Sequence, residues 1–206
     1  MSDEASRLNQ SAYDQLVETY AAANHAALPD GLAQMAGRLL EVIGPGARLL
    51  DVGCGTGRDL GWFLAHTLRP LGIDLSVGML GYARRALAPH PPGLAQMDMT
   101  SLGFPGAAFD GLWCCAALLH LPKALAPAAL AEMQRVLRPG GTLAIEVQAG
   151  AGESWEPGYG TLVQRFFARY TPGEFSALLQ AAGFQVIYHQ EETGAGKRWL
   201  AYLAQR

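Results

Sequence analysis

The sequence predicts a doubly wound α/β fold, a mostly parallel sheet with helices on both faces. Three observations predict it. The apolar stretch Leu49-Leu50-Asp51-Val52 runs straight into the glycine-rich turn Gly53-Cys54-Gly55-Thr56-Gly57, and a helical pattern follows from Arg58 to Leu64. Strand-like runs then alternate with helix-like ones, which implies right-handed crossovers between parallel strands. Half of the 206 residues are apolar and 16% are charged, as suits a sheet buried on both faces.

Taken in order, residues 11–23 and 30–43 read as helices ahead of the sheet, and Gly44-Pro45-Gly46 ends the second. Strands are expected near 47–52, 70–74, 94–97, 109–115 and 142–147. Ser76 reads as the N-cap of a helix that carries Met79, Leu80, Tyr82, Ala83 and Leu87. Residues 149–170 read as a long glycine-rich insertion, and loops of that length in compact domains serve as lids or binding loops. Thr171-Pro172-Gly173-Glu174 is a capping box with proline at the first helical position. The helix it opens runs through Phe175, Leu178 and Leu179 and stops at Gly183. Two β-rich runs, 184–190 and 198–203, flank Gly194-Ala195-Gly196 and predict a hairpin.

Composition narrows the function. No apolar run reaches the roughly 18 residues needed to span a membrane. The start, Met1-Ser2-Asp3-Glu4, is polar and acidic, unlike a signal peptide. Three cysteines without a C-x-x-C argue against a disulfide framework and against a zinc site, and a reducing cytoplasm is expected. Cys114 and Cys115 are adjacent, so they face opposite sides of a strand. Net charge is −3, with 13 scattered arginines and only Lys123 and Lys197. No basic stripe interleaved with aromatics appears, so a nucleic-acid partner is not expected.

The glycine turn carries the chemistry. Glycines at alternate positions let the backbone turn tightly and approach a ligand, and the helix after them offers free N–H groups. The spacing is G-x-G-x-G. A dinucleotide fingerprint needs its third glycine where Arg58 stands, and an arginine there would crowd helix–strand packing. The chain also lacks G-x-x-x-x-G-K-[ST]. Asp74 ends the second expected strand 23 residues after Asp51, placed to accept both hydroxyls of a ribose. A third acid, Asp98, follows the third strand.

In this order and spacing, the chain resembles the class I S-adenosylmethionine-dependent methyltransferases. Asp51-Val52-Gly53-Cys54-Gly55-Thr56-Gly57 is similar to that family's first motif and Gly72-Ile73-Asp74-Leu75-Ser76 to its second. Phe109–Cys115, Leu118-Leu119-His120-Leu121-Pro122 and Arg135–Leu143 are similar to the later segments. The resemblance covers nearly the whole chain. It implies a Rossmann-like seven-stranded sheet with an antiparallel C-terminal strand and an N-terminal helical cap. One domain is expected, with the cap over 1–44, a cofactor-binding half over 45–148, and a lid segment, helix and hairpin over 149–206.

The resemblance also implies roles. Gly53 and Gly55, with Cys54 between them, would hold the backbone against the methionine part of S-adenosylmethionine, with Asp51 beneath near its amino group. Asp74 would take the ribose hydroxyls, and Leu75 and Met79 would pack on the adenine. Asp98 would accept the adenine amino group beside the Met99 N–H, unless it merely caps its loop. The Cys115 carbonyl would face the methionine amino group. Arg58 would pair with a carboxylate of cofactor or substrate, or stand as a solvated first-turn arginine. Tyr13 and Tyr20, seven apart on one helical face, would cover the cofactor or serve as core. His120 is the candidate general base, against the alternative of a packed histidine bonded to backbone. His25, His66, His90 and His189 lack that positional argument. In 149–170, Trp155, Tyr159, Phe166, Phe167 and Tyr170 suit a flat or apolar acceptor, and Arg165 and Arg169 would bind a carboxylate; the simpler expectation is that the phenylalanines pack the segment down. The expected reaction is methyl transfer to a small-molecule acceptor by a monomer or homodimer. The alternatives are a protein or RNA methyltransferase and a cofactor-binding module without turnover.

Overall fold

The computed structural model describes residues 4–24, 27–194 and 196–206. Met1, Ser2, Asp3, His25 and Ala195, the middle of the expected hairpin turn, lie outside the described residues.

Two helices open the chain, α1 (Glu4–Asn24) and α2 (Asp30–Ile43). A strand-and-helix alternation follows through β1 (Arg48–Val52), α3 (Arg58–Ala65), β2 (Arg69–Asp74), α4 (Val77–Ala86) and β3 (Gly93–Gln96). It continues through β4 (Phe109–Cys115), α5 (Ala126–Val136) and β5 (Leu137–Gln148). A short pair, β6 (Glu153–Pro157) and β7 (Gln164–Ala168), precedes α6 (Pro172–Ala181) and the hairpin of β8 (Gln185–Gly194) and β9 (Lys197–Gln205). The main sheet has seven strands in the order β3-β2-β1-β4-β5-β9-β8. The first five pair in parallel, and β9 runs antiparallel to β5 and β8. Among the described residues, no helix is long and apolar enough to cross a membrane.

Strand alternation sorts the core into two layers. Leu50, Leu112, Cys114, Leu143 and Ile145 pack with α5 and α6 on one face. Leu49, Trp113 and Ala144 pack with α2 and Phe63 of α3 on the other. Cys114 and Cys115 accordingly face opposite layers. The strand order reverses between β1 and β4, and a crevice opens outside the carboxyl ends of such strands.

Four elements differ from the sequence reading. α1 starts at Glu4 because its early turns bury polar rather than apolar side chains, Ser6 and Asn9. The alternation implies a helix where α5 lies, but the reading gives it no bounds, because its proline-interrupted, alanine-rich start blurs the helical period. β5 begins five residues early, since Leu137 pairs with Phe109 before a register shift. The stretch 149–170 is not a structureless loop: β6 and β7 form an antiparallel hairpin that buries Phe166 and Phe167.

Candidate active site

The β1–α3 turn is built by glycine. Gly53, Gly55 and Gly57 all have positive φ (77°, 53° and 82°). A Cβ on Gly53 would lie 2.4 Å from Ala117 Cβ, so only glycine lets β1 and the β4 exit approach. Gly57 does the close packing expected of a third glycine: a Cβ there would meet Ala83 Cβ of α4 at 3.0 Å. Arg58 therefore crowds nothing, contrary to the sequence expectation. The close approach falls one residue earlier, and the Arg58 side chain turns away to Asp59 (Nε–Oδ1 2.6 Å) and the Asn24 carbonyl (3.3 Å).

Asp74 ties this turn to β2. Its Oδ2 accepts the Gly55 N–H (2.9 Å) and its Oδ1 the Ser76 N–H (2.8 Å). Burial raises its pKa, and these N–H donors oppose the rise. Ser76 caps α4 as expected, accepting from Met79 N at 3.1 Å. Its hydroxyl donates to Asp14 Oδ1 of α1 (2.5 Å), which also accepts the Gly78 N–H (2.9 Å). One carboxylate of α1 thus clamps the start of α4.

Two adjoining cavities lie beneath α1. The first, about 850 Å³ with the space where it opens to solvent, is bordered by Tyr13, Tyr20, Gly53, Gly55, Asp74, Leu75, Met79, Asp98, Met99, Cys115 and His120. The second, about 1560 Å³ where it opens to solvent, adds Asp51, Cys54 and Arg58. Every cofactor-binding candidate from the sequence, and His120, therefore borders one cavity or both. The walls they share include Tyr13, Tyr20, Gly53, Cys115 and His120. Ala116, at the exit of β4 with φ 51°, also lines both. Cys54 turns its sulfur toward Gly72, where a Cβ would come within 2.8 Å of Sγ. Asp98 does cap its loop, because Oδ1 accepts both the N–H and the hydroxyl of Thr100 at 2.8 Å. Its residue still borders the first cavity.

The second cavity holds charge. Asp51 is 2% exposed, and its Oδ2 has no hydrogen-bond partner. Burial, then Asp59 and Asp74, push its pKa well up against the pull of Arg58. Asp59 reads from sequence as a plain helix-dipole acid. Here it is buried and links Arg58 to the Trp113 indole N–H (Oδ2–Nε1 2.8 Å). Glu146 ends the apolar run of β5 in the same cavity, and burial beside Glu192 and Asp59 raises its carboxyl to about 8. Sequence reasoning missed Glu146, although an acid closing Leu143-Ala144-Ile145 repeats the signal that marked Asp51 and Asp74.

His120 sits in a chain of hydrogen bonds. Nδ1 lies 2.8 Å from the Phe166 carbonyl, which only accepts, so Nδ1 carries the proton. Nε2 then accepts from the Tyr13 hydroxyl at 2.6 Å, and Arg165 Nη1 donates to the same phenol oxygen at 3.3 Å. Burial and the cations Arg165 and Lys197 lower the His120 pKa to about 3, while burial raises that of Tyr13. Imidazole and phenol are both neutral. Tyr13, Tyr20 and Tyr159 stack edge to face with centroids 5.9 and 5.6 Å apart. Trp155 is 41% exposed on the outer side of the hairpin, and Arg169 is bound within it to Ser154 and Glu156. Neither borders these cavities.

The fold is the Rossmann-like methyltransferase fold, and the chain is similar to class I S-adenosylmethionine-dependent methyltransferases. Residues 49–141 match the family described as "Methyltransferase domain". A malonyl-[acyl-carrier protein] O-methyltransferase of Serratia marcescens is 37% identical over 117 residues, covering 54% of this chain and 44% of that protein. A demethylmenaquinone methyltransferase of Symbiobacterium thermophilum is 37% identical over 108 residues, covering 47% and 41%. The chain thus spans less than half the length of these curated relatives. Among solved structures, a Burkholderia thailandensis 1,6-didemethyltoxoflavin-N1-methyltransferase with bound S-adenosylhomocysteine superposes with a TM-score of 0.77 at 24% identity, over 97% of this chain and 88% of that one. The [4+2]-cyclase SpnF superposes equally well, 0.77 at 20% identity over 100% and 97%. The fold therefore hosts more than one chemistry, and function has to be argued from the site.

Proposed function

We propose that the protein moves a methyl group from S-adenosylmethionine to a small-molecule acceptor. The observation that carries this reading is the unpartnered, buried Oδ2 of Asp51. A buried carboxylate oxygen without a donor is costly, and a ligand ammonium beside it removes the cost. The rest of the site fits the same ligand. Gly53 and Gly55 leave room for a close approach, Asp74 and Asp98 offer acceptors along the first cavity, and Leu75 and Met79 give it an apolar wall. The named relatives support the reading, since the proteins they describe are methyltransferases.

Bound S-adenosylmethionine supplies a methyl group already activated on a sulfonium. The chain's own residues then have to position an acceptor and exclude water. Tyr13 and Tyr20 roof the junction of the cavities, where the acceptor atom would lie. An acceptor that carries a proton would lose it to the Tyr13 oxygen, as the Tyr13 proton passes to His120 Nε2. The Phe166 carbonyl would stabilise the imidazolium through Nδ1. His120 acts through Tyr13 in this scheme, because the phenol occupies its basic nitrogen. The size of the cavities beneath α1 favours a small acceptor over a protein or RNA chain.

Calorimetric titration with S-adenosylmethionine, S-adenosylhomocysteine and NAD tests the site. Binding of the first two in the micromolar range and none of NAD is expected. Silence toward both sulfur ligands would overturn the proposal. Turnover is tested by transfer of labelled methyl to a panel of small acceptors.

A further inference from the structure

The second cavity separates its charges. Asp51, Asp59, Glu146 and Glu192 act electrostatically on one another and on Arg58. Arg165 and Lys197 act instead on each other and on His120. The two groups differ in how their charge is met. Arg58 has Asp59, but Arg165 forms no ion pair among the described residues.

Arg165 is nevertheless a buried residue, 9% exposed. Its Nε has no hydrogen-bond partner, and its Nη1 reaches only the neutral Tyr13 hydroxyl. The guanidinium lies 4.5 Å from the Tyr159 ring centre and 5.0 Å from that of Phe167. Such aromatic faces repay part of a cation's lost hydration, not all of it. The hairpin backbone is built to sit against this group, since a Cβ on Gly158 would come within 2.8 Å of Arg165 Nε. Lys197 adds a second cation, 5.1 Å from the Phe167 ring centre, and its nearest carboxylate, Glu156, is 4.0 Å away.

The amine and carboxylate of a bound methionine moiety would meet Asp51 and Arg58 at the other end. They would leave Arg165 uncompensated. We infer that the acceptor supplies the missing charge: it is a small planar acid whose carboxylate seats on Arg165 beside Lys197, with its ring in the second cavity, which Tyr13, Tyr20 and Tyr159 also line. This inference rests on the methyl-transfer reading above. A planar guanidinium takes a carboxylate with matched geometry, and the flanking rings take a flat partner.

The test is calorimetry on the protein saturated with S-adenosylhomocysteine. Benzoate, salicylate and 4-hydroxybenzoate are titrated beside the amides of the same three acids. At least one acid is expected to bind about tenfold more tightly than its amide. Arg165→Gln is expected to erase that ratio while still binding S-adenosylhomocysteine, which also shows that the variant is folded. Should Arg165→Gln not fold, Lys197→Gln, at a less packed position, is expected to cut the ratio several-fold. Acids and amides binding alike, no acid binding at all, or a ratio unchanged in the folded variants would each overturn the inference. Failure of the wild type to bind S-adenosylhomocysteine would instead overturn the methyl-transfer reading.

Discussion

Asp74 does two jobs with one carboxylate. It accepts the Gly55 and Ser76 N–H groups, and it borders the first cavity where a ribose would lie. Asp74→Ala removes the ligand's acceptor and frees the glycine turn together, so affinity for S-adenosylhomocysteine should fall at least about tenfold. Asp74→Asn keeps one acceptor oxygen and should fall between. Unchanged calorimetric affinity in Asp74→Ala would remove this residue from the binding site. Glu146 makes a different prediction. Its folded pKa, about 8, stands above the ordinary 4.5, so its proton is held more tightly in the native state. Its contribution is complete below pH 4.5 and is lost as pH rises through 8. Glu146→Gln does not titrate. Its stability relative to wild type should therefore climb between pH 5 and 8, by a few kcal/mol at most. Urea denaturation at both pH values measures this; a flat difference would mean that Glu146 ionises freely in the folded protein.

At the scale of elements, α1 and the β6–β7 hairpin form the roof, and Asn9 joins them. Its amide donates to the His120 and Phe166 carbonyls (3.0 and 3.2 Å), and its carbonyl accepts the Phe166 N–H at 2.7 Å. Asn9→Ala would strand the buried Phe166 N–H on β7, at a cost of roughly 1–3 kcal/mol. It should also weaken S-adenosylhomocysteine binding, because Tyr13 and Tyr20 ride on the same helix. Thermal melts and titration check both effects, and a drop in stability with intact affinity would make Asn9 purely structural. The same roof marks where sequence reading stopped. Strands β1, β2 and β4 were legible because each is an apolar run with a turn or an acid at its end. Asp51 and Asp74 were legible for that reason too. Asn9 and Asp14 were not, because they are placed by polar contacts across 60 to 160 residues of chain, and helical periodicity registers only apolar burial. The hairpin was hidden because its five-residue strands sit among glycines, which argue for loop in any local reading. Its consequence, Arg165 lining the second cavity, is likewise a product of pairing, since β6 and β7 fix where the side chains of 164–168 lie.

For the whole molecule, the sheet and the roof are held by different physics. The sheet is fixed by two continuous apolar layers, with most of β4 and the stretch of β5 from Gly141 onward enclosed between them. The inner face of α1 lies outside those layers: it buries Ala12, Leu16, Val17 and Ala21 and adds polar contacts of Asn9, Tyr13 and Asp14, and the first cavity lies beneath it. Four buried apolar side chains and polar contacts of little net worth hold α1 less firmly than two full core layers hold the sheet, so α1 should open at lower free energy than the sheet. A ligand that enters beneath α1 requires that opening and then fills the space it leaves. Saturation with S-adenosylhomocysteine at about 100 times its dissociation constant should stabilise the fold by about 2.7 kcal/mol, or roughly 5–10 °C for a domain of this size. Hydrogen exchange locates the gain. Amides of α1 should slow most on binding, since they exchange through the local opening that the ligand suppresses. Amides of β4 and β5, which exchange only through global unfolding, should slow by no more than the rise in global stability. Equal protection of α1 with and without ligand would mean that the roof is already closed, and that the ligand enters through the second cavity between the tyrosines and the hairpin.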